Sequence, residues 1–172
     1  MKEIFELTQE KAKYLFSYHE DGYLIWNVSS NRRIIIGSRA GYLCRVRNGV
    51  VYYYVRFNKI AFKVSRIIFL WHHGYLPEIV DHENRNTLDD RVENLRAAIP
   101  TQNSANRNKN RDCANPYMGI VHQQKKWIAS CGSRGKVYRS KYFDTPEEAA
   151  LAYNKLAVKH HKEFALLNII QP

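Results

Sequence analysis

Between Ser104 and Pro116 the chain reads "SANRNKNRDCANP", a run that is polar, basic and almost without apolar residues. Such a run cannot enter a hydrophobic core, so it ends one folding unit and tethers the next. A chain of 172 residues interrupted there divides into two small domains, each with a modest core. We place the first at 1–105, a basic linker at 106–116 and the second at 117–172.

The first part mixes helix and strand signals. "LTQEKAKYLFSYH" carries Leu7, Leu15 and Phe16 at near-helical spacing with Thr8 as a cap, which predicts a short opening helix. "GYLIWNV" predicts a strand and "RRIII" a second one. "YLCRVRNGVVYYYVRFNKIAFKV" predicts three more, separated by Asn48-Gly49 and Asn58-Lys59, and Asn-Gly between such runs is a strong hairpin signal. "VSRIIFLWHHG" predicts a helix from near Ser65 to Gly74, where the missing Cβ suits a left-handed cap. "LPEIVDHE" returns to extended chain, and "AAIPTQNSANRN" predicts another short helix with Pro100 or Thr101 near its start. Asp81 and His82 then end a strand, while Asn103 sits in the first turns of a helix.

Beyond the linker, Trp127, Ala129 and Cys131 alternate with Ile128, Ser130 and Gly132, and "KVYRSKYF" continues the strand pattern after a turn at Ser133 to Gly135. "DTPEEAALAYNKLAVKHHKEF" has Thr145 as N-cap, Pro146 at the first helical position and Glu148 three residues after the cap, the pattern of a capping box. Its stripe of Ala149, Ala152, Tyr153, Leu156 and Ala157 lets it lie close on one face of a three-stranded sheet. The fold class expected is α+β, and the other face of that sheet is left open. Trp127, Ala129 and Cys131 are expected to face the helix, with Ile128, Ser130, Arg139 and Lys141 facing out.

Charge narrows the partner. Lys and Arg number 27 against 16 Asp and Glu, a formal net charge of +11. Of this, +4 lies in residues 1–100 and +7 in the shorter remainder, which suits a polyanion such as DNA. No long basic amphipathic helix or lipidation signal points to a membrane surface. Cys44, Cys113 and Cys131 are isolated and odd in number, which excludes a disulfide framework and a Cys-x-x-Cys structural zinc site. The opening "MKEIFELTQEKAKYLF" lacks an apolar signal core. A reduced, cytoplasmic setting is expected.

The stretch Ile79 to Asn108 holds the chemistry. Phosphodiester cleavage with a metal requires hard oxygen ligands for Mg²⁺ or a similar ion, and a neutral imidazole able to take a proton from water. Asp81 and an Asn carbonyl offer the first, and His82 the second. Taken singly, each of these is an ordinary strand-end, turn or cap residue. Together, "VDH", then "NRVENLR" in the variant form "DRVENLR", then "TQN" resemble the HNH motif of phage and intron-encoded homing endonucleases in its zinc-free ββα-metal version. The spacings from Asp81 to Asn94 and from Asn94 to Asn103 fit that version, and "VSRIIFLWHHGYLPE" resembles the segment that precedes it.

The resemblance implies that Asp81 and Asn103 hold one Mg²⁺ or Mn²⁺ ion per active site, that His82 is the general base, and that Asn94 braces the ββα turn. It implies cleavage to 5′-phosphate and 3′-hydroxyl ends, in a bacterial cell infected by phage. Ser65 stands where many relatives carry a histidine, so no catalysis is assigned to it. His72 and His73 close a helix, where imidazoles favour the dipole, and Glu83 is expected to be solvated.

"YMGIVHQQKKWIASCGSRGKVYRSKYFDTPEEAALAYNKLAVKHHKEFALLN" resembles the AP2 DNA-binding domain, carried by Gly119, Trp127, Ala129, "YFDTPEEAALAYN" and "FALLN". The resemblance implies a three-stranded sheet on one helix, its exposed face in the major groove of double-stranded DNA. Ser130, Arg139 and Lys141 are the expected face, with Gln123, Lys125, Arg134 and Lys136 near the turns holding phosphates. The expected function is a monomeric, strand-nicking, site-directed DNA endonuclease with no protein partner. A non-catalytic AP2-type regulator and a restriction-type HNH nuclease are the alternatives.

Overall fold

The structure, a computed structural model, describes residues 7–29, 32–47, 49–106 and 115–170. It divides into two compact units, Met1–Ala98 and Ile99–Pro172. The predicted linker falls largely on residues 107–114, which lie outside the described residues, as does Cys113.

In the first unit, α1 (Gln9–Leu15) is capped by Thr8, whose hydroxyl accepts from Lys11 N. The expected helix stops one residue early, because Phe16 leaves helical geometry and opens β1 (Phe16–His19), which pairs antiparallel with β2 (Tyr23–Trp26). "RRIII" is not a strand. Ile34 packs onto the core while Ile35 and Ile36 are exposed, Gly37 turns the chain at positive φ, and the short β3 (Arg39–Ala40) pairs with β2 instead. The three predicted β-rich runs form β4 (Tyr42–Arg45), β5 (Val51–Phe57) and β6 (Ile60–Lys63), an antiparallel meander in chain order. Asn58 and Lys59 both take positive φ, the geometry of a tight two-residue hairpin turn.

Helix α2 (Val64–His73) ends at Gly74 in left-handed geometry, as its sequence predicts. It buries Val64, Ile67, Ile68, Phe69 and Leu70 against Phe16, Leu24, Trp26, Val55 and Phe57. Burying a side chain of this size contributes about 1.5–3 kcal/mol, so α2 is the keel on which the sheets are laid. Arg66 on its outer side donates to the carbonyls of Pro77 and Glu78, fixing the chain that enters the next strand. No helix among the described residues is long and apolar enough to cross a membrane.

In the second unit, α3 (Pro100–Ala105) starts with Pro100 at its first position, and Gln102 Oε1 accepts from Ile99 N. Strands β9 (Ile120–Gln123), β10 (Lys126–Ser133) and β11 (Lys136–Phe143) form a meander with β10 in the centre. Its turns are Gln124–Lys125 and Arg134–Gly135, all at positive φ. Helix α4 (Pro146–His161) begins with the predicted capping box and packs Tyr153, Ala157, Ala152 and Leu156 on Ala129 and Cys131. The "FALLN" tail folds back onto the segment that leads into β9. Asn168 pairs its side chain with Met118 N and O, and Asn154 in α4 bonds both backbone groups of Asn168.

Candidate active site and sheet face

Strands β7 (Ile79–His82) and β8 (Leu95–Ala98) form an antiparallel hairpin in which Asp81 lies opposite Arg96 and His82 opposite Leu95. The cross-strand placement puts Arg96 Nε 3.0 Å from Asp81 Oδ2. Both side chains are mostly buried, so this ion pair is shielded from water more than a surface pair would be.

The twelve residues between the strands, 83–94, are folded by their own polar side chains. Asn84 Oδ1 accepts from Asn86 N, and Asn86 Oδ1 from Leu88 N, so the loop turns twice through Asx geometry. Asp89 grips Arg91 through two bonds of 2.8 Å, and this pairing holds its carboxyl down to about 2. Asn94 closes the loop, accepting from Asn84 N at 2.9 Å and donating to Asp89 O at 2.7 Å, while its carbonyl accepts from Glu83 N.

The rest of the unit clamps this loop from outside. Tyr18 Oη accepts from Val92 N, and Thr87 Oγ1 donates to Val51 O. Gly22, at φ +81, lies directly against the Asp90–Arg91 backbone, where a Cβ would collide with Arg91 N. The order of β1, β2 and β5 around α2 thereby fixes where the loop sits.

The consequence is a buried imidazole with a carboxylate partner. His82 Nε2 lies 2.8 Å from Asp90 Oδ1, with side chains 6% and 2% exposed, and the Tyr52 ring is 6.4 Å from the imidazole. Burial pushes the Asp90 carboxyl up, and the His82 hydrogen bond pulls it back. Lys63, whose ammonium lies 3.6 Å from the Tyr52 ring centroid, is held below its ordinary pKa, first by burial and then by Arg66.

Of the four residues singled out from sequence, Asp81, His82 and Asn94 thus belong to one hairpin and its loop, and Asn103 lies on α3 in the second unit. The Asp81 carboxylate is an oxygen donor of the type a hard divalent cation such as Mg²⁺ or Mn²⁺ takes. Arg96 is the resident cation on Asp81. His72 packs edge-on to Tyr18, and burial lowers its pKa. Asp90 and Arg96 were not among the residues expected to act. The one signal for Asp90 was the Asp of "DRVENLR" in place of the Asn of the resembling motif, and Arg96 is identified by strand register alone.

If Asn94 is the brace of this loop, Asn94→Ala orphans the Asn84 N–H and the Asp89 carbonyl. The expected loss is about 2 kcal/mol of unfolding free energy, read as a lowered urea midpoint with an unchanged slope. A midpoint equal to wild type would contradict the bracing role.

On the sheet of the second unit, Gln123, Lys125, Arg134, Lys136, Arg139 and Lys141 are exposed and Ser130 is half-buried. Ser130 lies opposite Arg139, as parity predicts. Two expectations change. Ile128 is buried rather than presented, being flanked in register by Val121 and Tyr142. A bulge gives β11 one extra residue between the Ile128–Tyr142 and Ser130–Arg139 pairs, so Tyr142 rather than Lys141 stands opposite Ile128. Lys141 instead lies over the Phe143 ring, 5.6 Å from its centroid. Trp127 is half-buried against His122.

Residues 62–105, which run from β6 through α3, match the family of HNH endonucleases, 44 of the 172 residues. No curated protein and no solved structure matches the chain.

Proposed function

We propose that the chain is a site-directed, metal-dependent DNA endonuclease of the phage or intron-encoded homing type, which nicks one strand as a monomer. The observation that carries the reading is the His82–Asp81 pair at the end of β7, held by the Asn94 loop, inside the segment that matches HNH endonucleases.

In this reading His82 takes a proton from a water molecule whose oxygen attacks the scissile phosphate, and the 3′ oxygen departs and takes a proton from solvent. The products carry 5′-phosphate and 3′-hydroxyl ends. A divalent cation on Asp81 would neutralise charge on the phosphate and on the departing oxygen. Asn94 keeps the loop closed, and burial of His82 keeps bulk water from competing for its ring.

The second unit acts in this reading as an AP2-like DNA anchor. Alanines on α4 cover one sheet face, and the opposite face carries Ser130 and Arg139 toward base edges, with Gln123, Lys125, Arg134, Lys136 and Lys141 around it for phosphates. Affinity should therefore fall steeply as salt rises. Lys136→Ala is expected to weaken binding alike on all sequences and to reduce the slope of log affinity against log salt by about 1. An unchanged slope would remove Lys136 from the interface.

The test is conversion of supercoiled plasmid carrying the gene's own flanking sequence, with and without Mg²⁺. Open circles that require the metal are the expected first product. Plasmid that is bound but intact in both Mg²⁺ and Mn²⁺ would favour a non-catalytic DNA-binding regulator.

A further inference from the structure

We propose that Asp90 is a positioning residue for His82: its carboxylate, 2.8 Å from Nε2, fixes the tautomer in which Nε2 carries the proton and Nδ1 is the basic nitrogen. This rests on the reading of His82 as the general base.

Three observations carry it. The first is the cost of having a carboxylate there at all. Asp90 is 2% exposed, and burying a carboxylate costs far more hydration than burying a neutral side chain of the same shape. An asparagine, the residue of the resembling motif at this place, fits the same space without that cost. A carboxylate that merely closed a turn would be a poor choice.

The second is that the loop's own turns do not use the Asp90 side chain. They run through Asn84, Asn86, Asp89, Arg91 and Asn94, on either side of it. The Asp90 carboxylate reaches across to the imidazole eight residues earlier instead.

The third is rigidity. The Asp90 backbone is backed by Gly22, Asp89 O is held by Asn94 Nδ2, and Val92 N by the Tyr18 hydroxyl. The carboxylate therefore cannot follow a ring that swings, and the ring must settle to it. In this arrangement the carboxylate oxygen accepts, so the nitrogen facing it is the one bearing hydrogen. A base whose proton sits on the wrong nitrogen is inactive however well it is placed.

The test compares full-length wild type, Asp90→Asn, Asp90→Ala and His82→Ala by single-turnover nicking at saturating protein, by DNA affinity, and by nitrogen NMR of labelled histidine in wild type. The expected pattern for Asp90→Ala is nicking slower by about 10- to 100-fold with affinity within about twofold, because such partners act on rate rather than on binding. Asp90→Asn, whose amide can turn either its oxygen or its NH2 to the ring, recovers only part of the rate, and wild-type His82 carries its proton on Nε2.

Asp90→Ala nicking at the wild-type rate, with His82→Ala inactive, overturns the positioning role and leaves the function standing. His82→Ala nicking like wild type overturns the function itself. Should Asp90→Ala fail to fold, the wild-type spectrum and Asp90→Asn decide. A proton on Nδ1, or Asp90→Asn that folds yet nicks no faster than His82→Ala, contradicts the proposal.

Discussion

His82→Ala should lower single-turnover nicking by about 10²- to 10⁴-fold while DNA affinity stays within about twofold. The magnitude follows from the role. Removing a positioned base leaves water to lose its proton unaided, whereas the His82 side chain, 6% exposed, offers little surface for DNA to touch. The substitution also strands Asp90, because a buried carboxylate without its partner costs about 3 kcal/mol or more. His82→Gln is the companion variant, since its amide can still donate to Asp90 but cannot act as a base. Both variants slow at equal affinity would place the loss in chemistry. A slow His82→Ala beside a fully active His82→Gln would place it in folding.

Gly119→Ala is expected to be the most damaging single methyl in the second unit. Gly119 has φ +65, and a Cβ there would run into the ring of Tyr153, itself buried between α4 and the sheet. Its carbonyl also accepts from Ser130 N at 2.7 Å, so the backbone cannot retreat without breaking the sheet's attachment. Strain from left-handed geometry adds about 1 kcal/mol to an overpacking cost of about 1–3 kcal/mol. Thermal unfolding should show a transition lowered by several degrees or lost, with DNA affinity falling alongside it. A variant with wild-type melting and affinity would contradict the packing described for Gly119 and Tyr153.

The parts of this fold legible in the sequence are those decided locally. Thr145, Pro146 and Glu148 specify the start of α4 because a capping box satisfies its own donors, whatever surrounds it. Gly74 ends α2 for a similarly local reason. "RRIII" misleads because β-branched residues favour extended chain only where a partner strand takes up their hydrogen bonds, and here β3 takes that edge of β2. The bulge in β11 is invisible to alternation, which assumes equal strand lengths.

The candidate site divides in the same way. Asp81, His82, Asn94 and Asn103 are recognisable by spacing, since each stands at a fixed distance along one motif. Arg96 and Asp90 gain their roles through space. Cross-strand register sets Arg96 on Asp81, and a loop folded by asparagines carries Asp90 back to His82.

The measurement that bears most directly on the central claim is the chemistry of the cut ends, read on end-labelled DNA with Mg²⁺ for wild type and His82→Ala. Hydrolysis by a His82-activated water predicts 5′-phosphate and 3′-hydroxyl ends from wild type and almost no cut product from the variant. Ends of the opposite kind, or equal cutting by the two proteins, would contradict it.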